Sequence, residues 1–295
     1  MSNILITGAT GHLGKSTIDH LLKKGVHETQ IVALARNDQK AAELKAKGVK
    51  TIAGDYERYD SLVEAFKGID TLFFISANDL ANRASQHENI VRAATEANIR
   101  HIVYTSFVRR NEKETSPISF ITTPHLKTER WLKESGITCT LLYNNLYMEY
   151  VPIFMGDKVL ETGTIYLPAS KGKAGVTLRE EMAEASAAIL ASSGHENKTY
   201  NLTNIETYSY ADIAGYISEI TGTQVKYISP SVEEYTQTLT KVGVPPEYIA
   251  MNAGFALAQA QGEFDHTSND LETLLGRKPT SMKEFLKSVY VGNFK

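Results

Sequence analysis

The chain has 295 residues, a formal charge of −3 and a pI near 6.3, enough for one large α/β domain with an appended lobe and without the positive field that nucleic acid or an anionic membrane would require. Cys139 is the only cysteine, which excludes an intramolecular disulfide and any cysteine-rich metal site. No apolar run is long enough to span a bilayer and the N-terminus begins a strand instead of a signal peptide, so a cytoplasmic protein is expected.

Ile4, Leu5 and Ile6 suit a strand buried on both faces. Gly8, Gly11 and Gly14 follow at even spacing, and then comes an amphipathic helix from Lys15 to Lys24. Strand, glycine turn and helix make a mononucleotide-binding unit. The first glycine allows the turn, the second lets a pyrophosphate approach, and the third permits close helix–strand contact. The helix N-terminus offers unpaired N–H groups to the anion. The cofactor-binding residues expected here are Gly8, Thr10, Gly11, His12, Leu13 and Gly14.

The second strand, Gln30 to Arg36, ends on Arg36-Asn37 with Lys40 beyond, where an NAD site usually carries an acid. A guanidinium there can pair bidentately with a 2′-phosphate, which favours NADPH over NADH. Val49 to Ala53 is the third strand. Asp55 then stands where it could meet the adenine amino group or cap a helix over 60–66, two compatible roles.

The run Asp70 to Asp79 reads as a central parallel strand whose polar exit at Ser76 suits a loop over the ribose and nicotinamide. A helix over 85–97, with His87 read as a surface residue, and a fifth strand, HIVYTSF, follow. Strand exits at Ser76, Thr105 and Asn144 complete the expected cofactor set. Asn111 to Thr123, broken by Pro117 and followed by Pro124, reads as a mobile loop, and a helix then runs from His125 to a stop at Gly136. The strand from Thr138 leads into Tyr143, Tyr147, Tyr150 and Phe154. These rings suit an apolar substrate pocket and suit the core of a second lobe equally well.

Beyond Val151 the βα rhythm weakens. Expected elements are a hairpin over 161–167, a helix to Leu190, a strand over 199–203 and a helix over 210–221. A strand over 225–228, a helix from Val232, a turn at Pro245-Pro246 and two short helices over 270–275 and 282–289 complete the chain. The fold class is thus α/β, a Rossmann-type doubly wound parallel sheet with a smaller α+β C-terminal substrate lobe. Residues 1–150 form the dinucleotide-binding domain, with 176–203 returning to it, and 151–295 are mainly the lobe.

None of the fifteen tyrosines has a lysine four residues later, the pair short-chain dehydrogenases use to donate a proton. No His or Cys pairs sit at metal-ligand spacing and no GxSxG turn occurs. GATGHLG, Arg36-Asn37, Gly54-Asp55-Tyr56, VYTSF and HLKTE…SGITCTLLYNNLYMEY together resemble the atypical short-chain dehydrogenase/reductase group. Within it they are similar to NmrA-like proteins, in the NAD(P)H:quinone oxidoreductase type 2 and triphenylmethane-dye reductase branch. VTLREEMAEASAAIL, YNLTNIETYSYADIA and LETLLGRKPTSMKEFL extend the likeness nearly end to end.

The resemblance implies an NADPH-dependent reductase of quinones or similar flat electrophiles, the alternative being a non-catalytic sensor of NADP(H). Aligning Glu129 with the helix glutamate of related reductases puts His125 where they carry an active-site lysine and Ile121 where they carry a tyrosine. Tyr143 stands where the family often has arginine. His125 and Tyr147 are the expected catalytic residues. His125 could bond the nicotinamide ribose or sit beside the substrate, or it could be a helix-start residue contacting local backbone. The expected partners are a small aromatic or quinone-like molecule and, at most, a second copy of the chain as a homodimer.

Overall fold

Alternation along short apolar strands decides how this chain layers. In the computed structural model, which describes residues 3–37, 39–112 and 115–292, the first strand is Ile4–Ile6 (β1). It sends Ile4 and Ile6 to one face and Leu5 to the other. The chain continues through His12–Lys23 (α1), Ile31–Ala35 (β2), Ala42–Ala46 (α2), Lys50–Ala53 (β3) and Tyr59–Phe66 (α3). Next come Thr71–Phe74 (β4), Arg83–Glu96 (α4), His101–Phe107 (β5), Ser119–Ser135 (α5) and Thr138–Asn144 (β6). The second half holds Tyr150–Met155 (α6), Val159–Thr162 (α7), Thr164–Tyr166 (β7), Arg179–Leu190 (α8) and Thr199–Leu202 (β8). It ends with Tyr210–Thr221 (α9), Lys226–Ile228 (β9), Val232–Lys241 (α10), Pro246–Ala260 (α11), Asp270–Leu275 (α12) and Met282–Val291 (α13).

Seven strands form one parallel sheet in the order β3-β2-β1-β4-β5-β6-β8, a Rossmann-type doubly wound fold. The winding direction reverses between β1 and β4, where such sheets open a crevice at their carboxyl ends. Ile4, Ile31, Phe73 and Val103 pack with Ile18 and Leu21 of α1, Met182 of α8 and Leu271 of α12. Leu5, Val32, Leu72 and Ile102 face Phe66 of α3, Ile90 of α4 and Leu132 of α5. Alanines at 183, 185 and 187 give α8 a thin buried face, and it lies against α1. The segment 176–203 therefore adds α8 and the edge strand β8 to the sheet region. A third core gathers the remaining helices of the second half around Phe264, Met282 and Leu286.

Four sequence expectations change. The stretch 161–167 is no hairpin: α7 ends on Gly163 in the left-handed region (φ 60°), and β7 then pairs in parallel with β9, over sixty residues away. Pro246 does not merely turn the chain but opens the fifteen-residue α11, since proline suits a helix start, where no N–H partner is needed. Helix α5 begins at Ser119, so the predicted loop shortens and Pro124 lies inside the helix. There its missing N–H forfeits one backbone bond near the start, which the helix tolerates. His125 is consequently not a helix-start residue. Lys113 and Glu114, within the predicted loop, lie outside the described residues.

Candidate active site

The turn after β1 is built as its glycines require. Gly8 has φ +58°, which favours glycine, and its carbonyl accepts from Gly11 N at 2.9 Å. A Cβ on Gly14 would lie 2.4 Å from the Gly8 carbonyl oxygen, so α1 meets the turn only because position 14 has none. Gly11 is exposed and caps α1 with backbone alone, with no acidic residue in the helix's first turn. The N–H groups of that turn therefore have no side-chain acceptor, as an anion site needs. His12 is exposed and Thr10 half-buried beside it. The Leu13 side chain is buried in the core, leaving only its backbone to a ligand.

Arg36 lies exposed just beyond β2 and pairs with no acidic side chain among the described residues. Asp55 does not cap α3, whose N-cap is Arg58. Its Oδ1 accepts from Glu57 N at 3.1 Å in a local turn, because three residues separate it from the helix start. Asn144, at the end of β6, is buried with an Oδ1 that has no hydrogen-bond partner. An enclosed, unpaired amide oxygen is costly unless a ligand donates to it. The glycine cradle, the unpaired guanidinium and this orphan oxygen all lie at carboxyl ends of strands and fit a phosphorylated dinucleotide.

The loop leaving β4 is clamped from beneath. Ser76 N donates to Thr105 Oγ1 at 2.9 Å, which occupies the hydroxyl of a predicted cofactor residue. Ala77 is held at both ends of its backbone. Its N–H donates to His87 Nε2 at 2.9 Å and its carbonyl accepts from Arg83 Nε at 2.6 Å. His87 is thus fully buried, not a surface residue. It stands one turn from Arg83 on the face of α4 that continues through Ile90, Val91 and Ala94. Extending that apolar stripe three, four and seven residues back from Ile90 would have found Arg83, Gln86 and His87 in the sequence.

His87 accepts at Nε2, so its proton sits on Nδ1 and goes to Thr128 Oγ1 at 2.8 Å, which in turn donates to the Pro124 carbonyl. The Tyr104 hydroxyl then has His125 Nδ1 as its acceptor at 2.6 Å, leaving the His125 proton on Nε2. That nitrogen has no partner among the described residues, yet it is not sealed in. Burial, and next the charge of Arg83, push His87 down to about 3. The same causes, with His87 and Arg109 adding to them, hold His125 well below the usual histidine range. Both rings are neutral near pH 7.

An aromatic row begins at Tyr147 just beyond β6. Centroid separations are 5.7 Å from Tyr147 to Tyr150, 6.3 Å on to Phe154 and 5.6 Å to Phe255. From there the row continues through Phe264 and Phe107 to His125, whose ring lies 6.1 Å from Phe107 and nearly parallel to it. Tyr150 and Phe120 leave part of it open to solvent. Tyr143 does not belong to it. The strand pleat sends Tyr143 elsewhere, where its hydroxyl donates to Glu129 and the Arg109 guanidinium covers its ring at 5.1 Å. Arg109 grips Glu129 with two bonds of 2.9 and 2.8 Å. The second half of the chain closes the far side: buried Glu263 accepts from Arg110 N, Asn111 N and Ser116 Oγ, pinning the segment after β5.

Residues 1–286 match the model of the NmrA-like family. The chain is 33% identical to quinone oxidoreductase 2 of Escherichia coli strain K12, over 97% of this chain and 98% of that protein. The structure of that NADPH-dependent enzyme in complex with NADPH superposes with a TM-score of 0.90, covering 97% of this chain and 99% of its own. Triphenylmethane reductase of Citrobacter sp., solved in complex with NADP(H), is 37% identical with a TM-score of 0.88, covering 97% and 99%. Among the described residues no helix is long and apolar enough to cross a membrane.

Proposed function

The chain belongs to the NmrA-like family, and on that premise we propose that it is an NADPH-dependent reductase of quinones or similarly flat electrophiles, working without a tyrosine–lysine proton donor. The observation that carries this reading is the aromatic row joining the exits of β5 and β6, with a neutral histidine at its end. When bound, the dinucleotide supplies a hydride. Gly11 and the first turn of α1 would hold its pyrophosphate and Arg36 its 2′-phosphate, and Asn144 Oδ1 would accept a hydrogen bond from it. Tyr147 and Tyr150, whose rings the Arg179 guanidinium covers at 4.6 and 5.5 Å, would with Phe154 bound the place of a flat acceptor and exclude water.

Such a site suits acceptors whose reduction does not demand a proton at once. A ketone would become an alkoxide, a very strong base, and needs a donor during transfer. A quinone becomes a delocalised phenolate-like anion, whose conjugate acid has a pKa of about 10, and water can protonate it afterwards. The His125 Nε2–H positions ribose or acceptor, being too weak an acid to do more. NADPH oxidation by the purified protein, measured against quinones, triphenylmethane and azo dyes, and aliphatic ketones, tests this. Turnover of quinones or dyes with negligible turnover of ketones is expected, and His125→Ala should reduce it only modestly. Binding of NADP(H) without reduction of any acceptor would make the protein a sensor instead. Efficient ketone reduction lost in His125→Ala would make His125 the proton donor.

A further inference from the structure

Arg83 is a buried cation that the fold does not neutralise. It is 7% exposed, donates only Nε to Ala77, and forms no ion pair among the described residues. Asp79, on the same loop, gives its oxygens to Ala81 N, Asn82 and Gln86. Arg83 also occupies the first turn of α4, where a positive charge opposes the helix dipole, and Asp79, whose charge reaches it, spends its hydrogen bonds on the helix start instead. Burying a charge without a paired counter-charge is costly. Its Nη1 and Nη2 have no hydrogen-bond partner among the described residues, and neither is sealed in. Its charge is felt at His125 and Tyr147, the two ends of the aromatic row.

Resting on the reductase reading above, we infer that Arg83 is a catalytic residue whose free Nη groups hold the negative charge that develops on the acceptor oxygen during reduction. In that step a C–H bond of the bound dinucleotide breaks and its hydrogen leaves with two electrons. An O–H bond forms on the quinone, and its other oxygen carries the charge until water supplies the second proton. The dinucleotide is oxidised and the quinone reduced to a hydroquinone monoanion. A preorganised cation in a site with little water stabilises that charge far more than it would in bulk solvent. A cationic triphenylmethane dye differs in the one respect that matters, since hydride neutralises it and no anion forms. Arg83 therefore makes the site selective for acceptors that turn negative over acceptors that start positive.

Arg83→Met and Arg83→Lys separate this role from the loop clamp. Losing one preorganised donor to a developing oxyanion costs about a hundredfold in rate. For Arg83→Met, the ratio of kcat/KM toward a 1,4-naphthoquinone to that toward a cationic triphenylmethane dye should fall by about that factor. Arg83→Lys should restore most of the quinone rate. A readout without turnover uses 4-nitrophenolate as a product-like anion. The wild-type protein should bind it more tightly than neutral 4-nitroanisole, and Arg83→Met should lose about tenfold for the anion alone. Equal losses for quinone and dye, or a matching loss of NADPH affinity, would make Arg83 a clamp or a cofactor ligand and overturn the proposal. Should the wild-type protein bind NADPH and reduce neither acceptor, the reductase reading itself falls.

Discussion

Three helix starts in the second half and three at the carboxyl edge of the large sheet are finished differently. In the second half, α9, α10 and α13 begin at Ser209, Ser231 and Ser281. Each serine accepts from the backbone three residues on, and Asp212, Glu234 and Glu284 bond back. At the carboxyl edge of the large sheet, α1, α4 and α5 begin at Gly11, Asn82 and Ile118 with no side-chain cap. A capped helix end has spent its free N–H groups on itself, whereas the first turn of α1 has no side-chain acceptor and can offer them to a ligand. At α9, α10 and α13 the start is completed locally. At α1 it is left open, and the unpaired Asn144 Oδ1 extends that openness to a side chain.

The comparison breaks most severely at Gly11. In Gly11→Val the added side chain crowds the Gly8 carbonyl, which a Cβ would approach to 3.2 Å, and fills the anion's place. NADPH affinity should fall by more than about a hundredfold. The circular dichroism spectrum should be unchanged, because position 11 is exposed. Undiminished affinity in the folded variant would put the nucleotide elsewhere.

Arg36→Ala is the next largest. A charge-assisted hydrogen bond is worth about 1.5–3 kcal/mol, so NADPH should bind roughly ten- to a hundredfold more weakly while NADH is nearly unaffected. Calorimetric titration of both cofactors decides it, and equal losses would refute a 2′-phosphate contact.

A third effect is read in acid. The folded pKa of His87, about 3, lies below its unfolded value near 6.5. As pH drops below about 6.5 the unfolded chain takes up the proton first, and stability is lost progressively down to about 3. The slope should be about 1.4 kcal/mol per pH unit for each buried neutral histidine. His87→Gln keeps an acceptor for Ala77 N but cannot titrate, so urea unfolding at pH 7, 6 and 5 should show a shallower loss. An identical slope would mean that His87 is protonated equally in both states.

The smallest effect lies in the lobe. Ser231→Ala or Ser281→Ala should cost about 1 kcal/mol of stability and leave NADPH affinity untouched. A change in affinity would show that the lobe's helix ends are coupled to the cradle, contrary to the contrast drawn above.

What could be read along the chain was whatever repeats or closes within a few residues. Ile4 to Gly14 specifies strand, turn and helix by itself, because a left-handed Gly8 and a Cβ-free Gly14 are local requirements. The strand HIVYTSF was read to the residue, the end of α5 at Gly136 likewise, and Arg36 needs no partner to occupy its strand end. Tertiary structure decided the rest. β7 and β9 pair across more than sixty residues, and nothing in either strand names the other. Polar residues on α4 look solvated until Ala77 and Thr128 close over His87 and take both its nitrogens. The aromatic row joins rings from β5, α6 and α11, so neither its continuity nor the unpaired guanidinium near it exists until distant segments meet.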